Sequence, residues 1–129
     1  MILADSSILI EMARKPTIPV LRAVRSAKPA VCGIMVAELQ AGVRSSSQQA
    51  DLEATLRLFG RVPIDEAVWE LTGRILGAMM RRGTKVKFQD AAIAATAIHR
   101  NLPLWTRDRH FTWIQAAFPG LARFDESTV

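Results

Sequence analysis

A chain of 129 residues has the size of one domain and removes roughly two-thirds of its unfolded surface from water on folding. Half of its residues are hydrophobic and 22% are charged, which excludes a low-complexity or disordered chain. Its 17 Lys and Arg against 12 Asp and Glu leave a net charge of +5, which favours a polyanionic partner without identifying one.

The chain opens Met1-Ile2-Leu3-Ala4-Asp5, with no basic segment ahead of the apolar one and an acid inside it. That does not fit a secretory signal, and a cytosolic protein is expected. Ile2 to Ala4 is a first strand candidate, and Asp5-Ser6-Ser7 supplies N-cap chemistry for a helix over Ile8 to Arg14, closed by Pro16. A second helix is expected over Ile18 to Ser26, then a strand over Ala30 to Cys32. Cys32 is the one cysteine, so an internal disulfide and a Cys-based metal cage are excluded, and its apolar setting predicts a core side chain. Met35 to Val43 starts the next helix, with Gly42 and a serine cluster at its exit.

Leu52, Leu56 and Phe59 repeat at helical spacing, Arg61 to Ile64 is a short extended piece, and Val68, Leu71, Ile75, Leu76 and Met79 outline another amphipathic helix. Gly83 and a basic loop through Lys87 follow. Ala91 to Ile98 is apolar all round and rich in alanine, as suits a helix buried against a sheet, and far short of the roughly 20 apolar residues a membrane span needs. Asn101 and Pro103 end it. Leu104-Trp105-Thr106 is a strand candidate, Phe111 to Phe118 a short helix, and Leu121 to Phe124 a final edge strand. Trp69, Trp105 and Trp113 lie in apolar patterns and are expected in the core or at a protein contact. With no Tyr and 6% aromatic residues, a surface that binds single strands by base stacking is not expected. Strands alternating with helices predict an α/β fold: one domain over residues 1–129, an α/β/α sandwich around a parallel sheet of about five strands.

In such a sheet, ligands sit beyond the C-terminal ends of the strands. By that criterion four acids stand apart: Asp5 after the first strand, Glu38 in the first turns after the second, Asp90 at the start of the buried helix, and Asp108 after the strand ending at Thr106. The other eight, including Glu11, Asp65 and Glu126, read as solvated charges. Each of the four has a plain structural explanation: Asp5 and Asp90 as N-caps worth about 1 kcal/mol, Glu38 paired with an arginine, Asp108 in a turn. Together, four neighbouring like charges raise one another's pKa unless arginines or a divalent ion join them. All-oxygen ligation without Cys or a well-placed His selects Mg²⁺ or Mn²⁺ over zinc, and one or two ions fit a formal charge of this size. With two ions about 4 Å apart, one lowers the pKa of a bound water while the other stabilises the leaving oxygen of a phosphodiester. The chemistry is that of a nuclease.

Four segments then resemble, in order, those of PIN-domain ribonucleases, and specifically VapC-type toxins of bacterial type II toxin–antitoxin pairs. They are Ala4-Asp5-Ser6-Ser7-Ile8-Leu9-Ile10-Glu11, Val36-Ala37-Glu38-Leu39-Gln40-Ala41-Gly42, Asp90-Ala91-Ala92-Ile93-Ala94-Ala95-Thr96-Ala97, and Leu104-Trp105-Thr106-Arg107-Asp108-Arg109-His110-Phe111. One departure is visible: the family often places Pro before the third acid, where this chain has Gln89. The resemblance implies a Mg²⁺- or Mn²⁺-dependent endoribonuclease, commonly dimeric, that blocks translation by cutting structured RNA of the tRNA or rRNA class. It also implies a VapB-like antitoxin whose C-terminal segment wraps the toxin and occludes its site.

Within this reading Asp5 and Asp90 are the principal metal ligands, completed by Glu38 and Asp108 directly or through water. Ser6 and Thr106 are placed to hydrogen-bond a carboxylate or a bound water. Arg81, Arg82, Lys85, Lys87, Arg107 and Arg109 lie beside the acids in sequence and are expected to meet RNA phosphates. His110, two residues from Asp108, is assigned no role, and His99 is expected to be partly buried. Two rivals remain. A non-enzymatic basic nucleic-acid-binding module explains the charge but leaves the four acids unused. A phosphoacceptor signalling domain needs a Lys at the end of a late strand, where this chain has Arg107.

Overall fold

The computed structural model describes residues Met1–Val129. Four short parallel strands form one sheet in the order β3-β2-β1-β4: β1 (Ile2–Ala4), β2 (Pro29–Val31), β3 (Gly60–Arg61) and β4 (Leu104–Trp105). β1 and β2 are buried throughout, as parallel strands covered on both faces must be. The expected fifth strand, Leu121 to Phe124, is reduced to a single parallel bridge between Arg123 and Leu104. There the Leu104 N–H donates to the Ala122 carbonyl and the Phe124 N–H to the Leu104 carbonyl, both at 2.8 Å.

The helices are α1 (Ser6–Arg14), α2 (Ile18–Ala27), α3 (Gly33–Ala41), α4 (Ser46–Leu56), α5 (Glu66–Arg81), α6 (Phe88–Arg100) and α7 (His110–Ala117). Most boundaries have a local cause. Asp5, Thr17, Ser45 and Asp65 each cap a helix, with a side-chain oxygen accepting from a backbone N–H of the first turn. Asn101 ends α6 in the left-handed region at φ 56°, a conformation Asn tolerates better than most residues.

Two helix groups sandwich the sheet. α1 packs on α3 and α4, while α5 packs on α6 and α7. The second group is tight because α6 buries Ala91, Ala92, Ala94, Ala95 and Ala97 with Ile93 and Thr96, small side chains that allow close approach. One continuous core of 26 buried apolar residues joins the layers, and it includes Cys32, whose thiol is pushed up by burial.

This architecture fixes where a site can form. β1 lies mid-sheet, with β2 on one side and β4 on the other, so the chain order reverses between β1 and β4. That reversal opens the crevice where ligands of open α/β sheets bind. The residues leaving β1 and β4 are Asp5 and Thr106.

Candidate active site

Asp5 is 3% exposed, and its two carboxylate oxygens are used differently. Oδ1 accepts from the Ser7 N–H at 3.0 Å and from the Ser7 hydroxyl, while Oδ2 accepts from the Thr106 hydroxyl. Burial pushes the Asp5 carboxyl above its usual value, against the opposing pull of the Ser7 and Thr106 hydrogen bonds. The expected partner Ser6 makes no such bond. Ser7 does, because an N-cap carboxylate accepts from the second or third helical N–H, and Ser7 occupies the second helical position.

Thr106 couples Asp5 to the next acid. Its hydroxyl donates to Asp5 and accepts from the Asp108 N–H at 2.9 Å, so one side chain ties the ends of β1 and β4 together. Asp108 in turn accepts through Oδ1 from the His110 N–H at 2.9 Å, with His110 Nδ1 at 3.0 Å from the same oxygen.

Asp90 arrives from the other side, in the first turn of α6. It is not the cap of that helix: Lys87 holds the cap position and its side chain makes no capping bond. The capping explanation of Asp90 therefore fails. Oxygen atoms of Asp90 and Asp108 and a ring nitrogen of His110 lie within 4.8 Å of one another. Asp90 is raised above its usual value by burial and then by the charge of Asp108, with Lys87 and His110 opposing and Asp5 adding. Glu38, exposed on α3, is raised by burial and by Asp90 and Asp5, with Lys87 opposing. All four acids thus share one electrostatic site.

No arginine neutralises them. Arg107, expected to meet phosphate, instead bridges Glu11, at 2.8 Å from Nε, and Glu126, at 2.6 Å from Nη1. Glu126 also accepts from the Trp105 indole N–H at 2.8 Å. These two glutamates, expected to be solvated, hold Arg107 away from the cluster, while the Arg107 backbone N–H donates to the Ser7 hydroxyl at 2.9 Å. Lys85 and Lys87 do stand at the site, lining a notch of about 80 Å³ with Asp90, His110 and Trp113. Arg81, Arg82 and Arg109 are exposed and lie outside that notch. His99 is exposed rather than partly buried and pairs with Asp65 at 3.5 Å. Of the tryptophans only Trp105 is buried.

The donor set can hold a divalent cation: carboxylate oxygens converge on a crevice rim with no arginine among them, and the imidazole nitrogen of His110 beside them departs from the all-oxygen set expected from the sequence. His110 is the member that sequence spacing underrated. Its signal was available, since a residue two positions after a turn Asp can return to that carboxylate through both its N–H and its ring.

The PIN domain family model matches residues 2–116 of the chain. This chain belongs to the PIN-domain family. Its likeness extends to the VapC type: Ribonuclease VapC1 of Methanocaldococcus jannaschii is 32% identical over 111 residues, 85% of this chain and 78% of its own length. A toxin–antitoxin complex from Klebsiella pneumoniae contains a similar chain, with a TM-score of 0.70 and 25% identity over 98% of each chain. VapBC2 from Rickettsia felis, bound to a fragment of its promoter DNA, shares the PIN fold with a TM-score of 0.82 and 21% identity, covering 97% of this chain and 100% of the other.

Proposed function

We propose that this PIN-domain protein is a divalent-metal-dependent endoribonuclease and the toxin of a toxin–antitoxin pair, with residues 1–129 acting as one nuclease domain. The observation that carries the reading is the cluster of Asp5, Glu38, Asp90 and Asp108 at the β1/β4 crevice, with the Asp90 and Asp108 charges converging and no arginine between them. The family and the VapC1 relative support it.

Asp90 and Asp108, whose oxygens converge, would hold Mg²⁺ or Mn²⁺, one ion or two, with Asp5 and Glu38 completing the shell directly or through water; Asp5 yields the principal place expected for it to Asp108, because both of its oxygens already accept from Ser7 and Thr106. When bound, such a cation supplies charge for the phosphodiester oxygens and acidifies an attacking water. The chain's own residues prepare the site. Thr106 and Ser7 orient the buried Asp5 carboxylate, and Thr106 fixes the backbone of Asp108. Lys85 and Lys87 at the notch, and Arg81, Arg82 and Arg109 around it, meet the RNA backbone, so affinity falls as salt rises. Arg107 is left out of that set because Glu11 and Glu126 already hold it.

The substrate is structured RNA of the tRNA or rRNA class, cut in the cytoplasm with loss of translation. The partners are a VapB-like antitoxin and a second copy of the chain. An apolar groove of about 450 Å³ between α1, α3 and α4, with Leu9, Ile10, Leu39 and Leu52 in its walls and Glu38 at its rim, offers an antitoxin segment a seat beside the acids. The test is incubation of the antitoxin-free protein with total cellular RNA in Mg²⁺, Mn²⁺ or EDTA, beside Asp90→Asn. Discrete products that need metal and vanish in the variant are expected; equal RNA binding by both proteins with no cleavage in either metal would overturn the nuclease reading in favour of a binding module.

A further inference from the structure

The notch beside Asp90 contains a residue that phosphate chemistry does not explain. α7 buries Phe111 and Ile114, at 1% and 0% exposure, and leaves Trp113 48% exposed. An indole held half in water forgoes much of the burial that stabilises its neighbours on the same helix. Trp113 is also held in place. Its ring lies against His110, with centroids 4.9 Å apart and planes tilted by 43°, and His110 is bound to Asp108 through both its backbone and its ring. Trp69 is also exposed and stacked on Phe88, at 6.0 Å and 15°, but it does not line the notch beside Asp90.

The surroundings define what the ring can meet. Lys85 and Lys87 share the notch with Trp113 and with Asp90, so an aromatic face and two cations stand next to the carboxylates proposed to act on a phosphodiester. At about 80 Å³ the notch holds only a few waters' worth of volume, which suits a phosphate oxygen cluster and is too small to enclose a base. A base attached to a phosphate held there lies outside the notch, where the indole of Trp113 offers it a face. An unpaired nucleotide has this pairing of a flat π-face with a phosphate one bond system away, whereas a base within a duplex has its faces covered by its neighbours.

We infer that Trp113 is a stacking platform for one unpaired nucleobase beside the phosphodiester that is cut, with Lys85 and Lys87 holding the adjoining phosphate. The inference rests on the ribonuclease reading above and deepens it: the RNA is engaged at a loop or single strand, and the stacked position is one at which the accessibility of a base, rather than its identity, is sensed. It is compatible with the expectation that no extended surface binds single strands by base stacking, since it asks for one well-placed ring only.

The test uses the full chain in EDTA, so that binding is read without cleavage, and the anisotropy of a fluorescein-labelled single-stranded RNA. An RNA of about 12 nucleotides and mixed sequence suffices, because stacking tolerates any base. Trp113→Ala is expected to weaken binding roughly 5- to 100-fold, the usual range for losing one stacked base, while Trp113→Phe stays close to wild type. On an RNA of the same length with all bases removed and the sugar–phosphate kept, wild type and Trp113→Ala should bind equally. Wild-type affinity of Trp113→Ala for the intact RNA, or a loss that persists on the abasic RNA, would overturn the inference. The two readings separate cleanly. If the wild type cleaves RNA with metal while Trp113→Ala binds normally, the stacking inference alone falls; if the wild type neither binds RNA in EDTA nor cleaves it with metal, both fall.

Discussion

Two groups of carboxylates stand near the ends of β1 and β4, and they are in opposite electrostatic states. Glu11 and Glu126 grip Arg107 from two sides, and Glu126 is held below its usual carboxylate value, first by the Arg107 hydrogen bond. Asp90 and Glu38 have only Lys87 and His110 nearby as opposing charge, and both are pushed upward by burial and by the neighbouring acids. The first group has its counterion built in. The second does not, which is the arrangement proposed above to receive a cation. In this molecule charge balance distinguishes Asp90 and Glu38 from the two glutamates that clamp Arg107.

The largest effects are expected at the uncompensated group. Asp90→Asn or Asp108→Asn should lower the metal-dependent rate of RNA cleavage by roughly 10²-fold or more, since each removes a cation ligand rather than a supporting hydrogen bond. Quantified cleavage of a mapped RNA, at saturating metal, checks this. On the compensated side, Arg107→Ala leaves Glu11 and Glu126 facing each other and should destabilise the protein by about 2 kcal/mol, a value held down by partial exposure of the pair. Urea unfolding measures it.

A smaller effect sharpens the account of Asp5. Ser7→Ala removes a hydroxyl that donates to Asp5 and accepts from the Arg107 N–H, and should cost about 1 kcal/mol. Ser6→Ala should cost almost nothing. Equal effects of the two in thermal unfolding would show that Asp5 is not held as described.

The pH dependence of the two groups should differ in sign. Glu126 has a depressed value, so it contributes stability at neutral pH that is lost as pH falls through its folded value; Glu126→Gln should destabilise at pH 7, by under about 1 kcal/mol, and be neutral in acid. Asp90 has a raised value. Its cost is absent below the ordinary Asp range and builds as pH rises through the folded value, so without divalent ions Asp90→Asn should melt slightly above wild type at pH 7 and not at low pH. Melting curves at both pH values check the pair together.

Much of this was legible in the sequence because it is local. Asp5 follows a short apolar run and caps a helix, Asp108 follows another, and the alanine-rich stretch after Asp90 announces a buried helix, so periodicity and strand-end position isolate the four acids. What was not legible depends on distant contacts. Arg107 and Glu126 are brought together only when the C-terminal turn at Glu126–Thr128 packs beside β4, and no local pattern encodes that meeting. The exchange of Ser6 for Ser7 is different in kind: N-cap geometry already names the second helical residue, and the expected helix start at Ile8, two residues late, concealed it. The fifth strand was overread because Leu121 to Phe124 is apolar enough for an edge but pairs through one residue. Trp113 illustrates the limit of pattern reading, since spacing placed it in the core or at a contact and only the packing of α7 shows its ring half in solvent.

The central claim is that Asp90 and Asp108 form a cation site while the Arg107 clamp does not. Calorimetric titration of Mn²⁺ into the antitoxin-free protein tests it without reference to any substrate. One or two sites are expected in the wild type, with at least tenfold weaker binding in Asp90→Asn and in Asp108→Asn, and affinity near wild type in Glu126→Gln. Equal Mn²⁺ affinity in all four proteins, or no binding in the wild type, would contradict it.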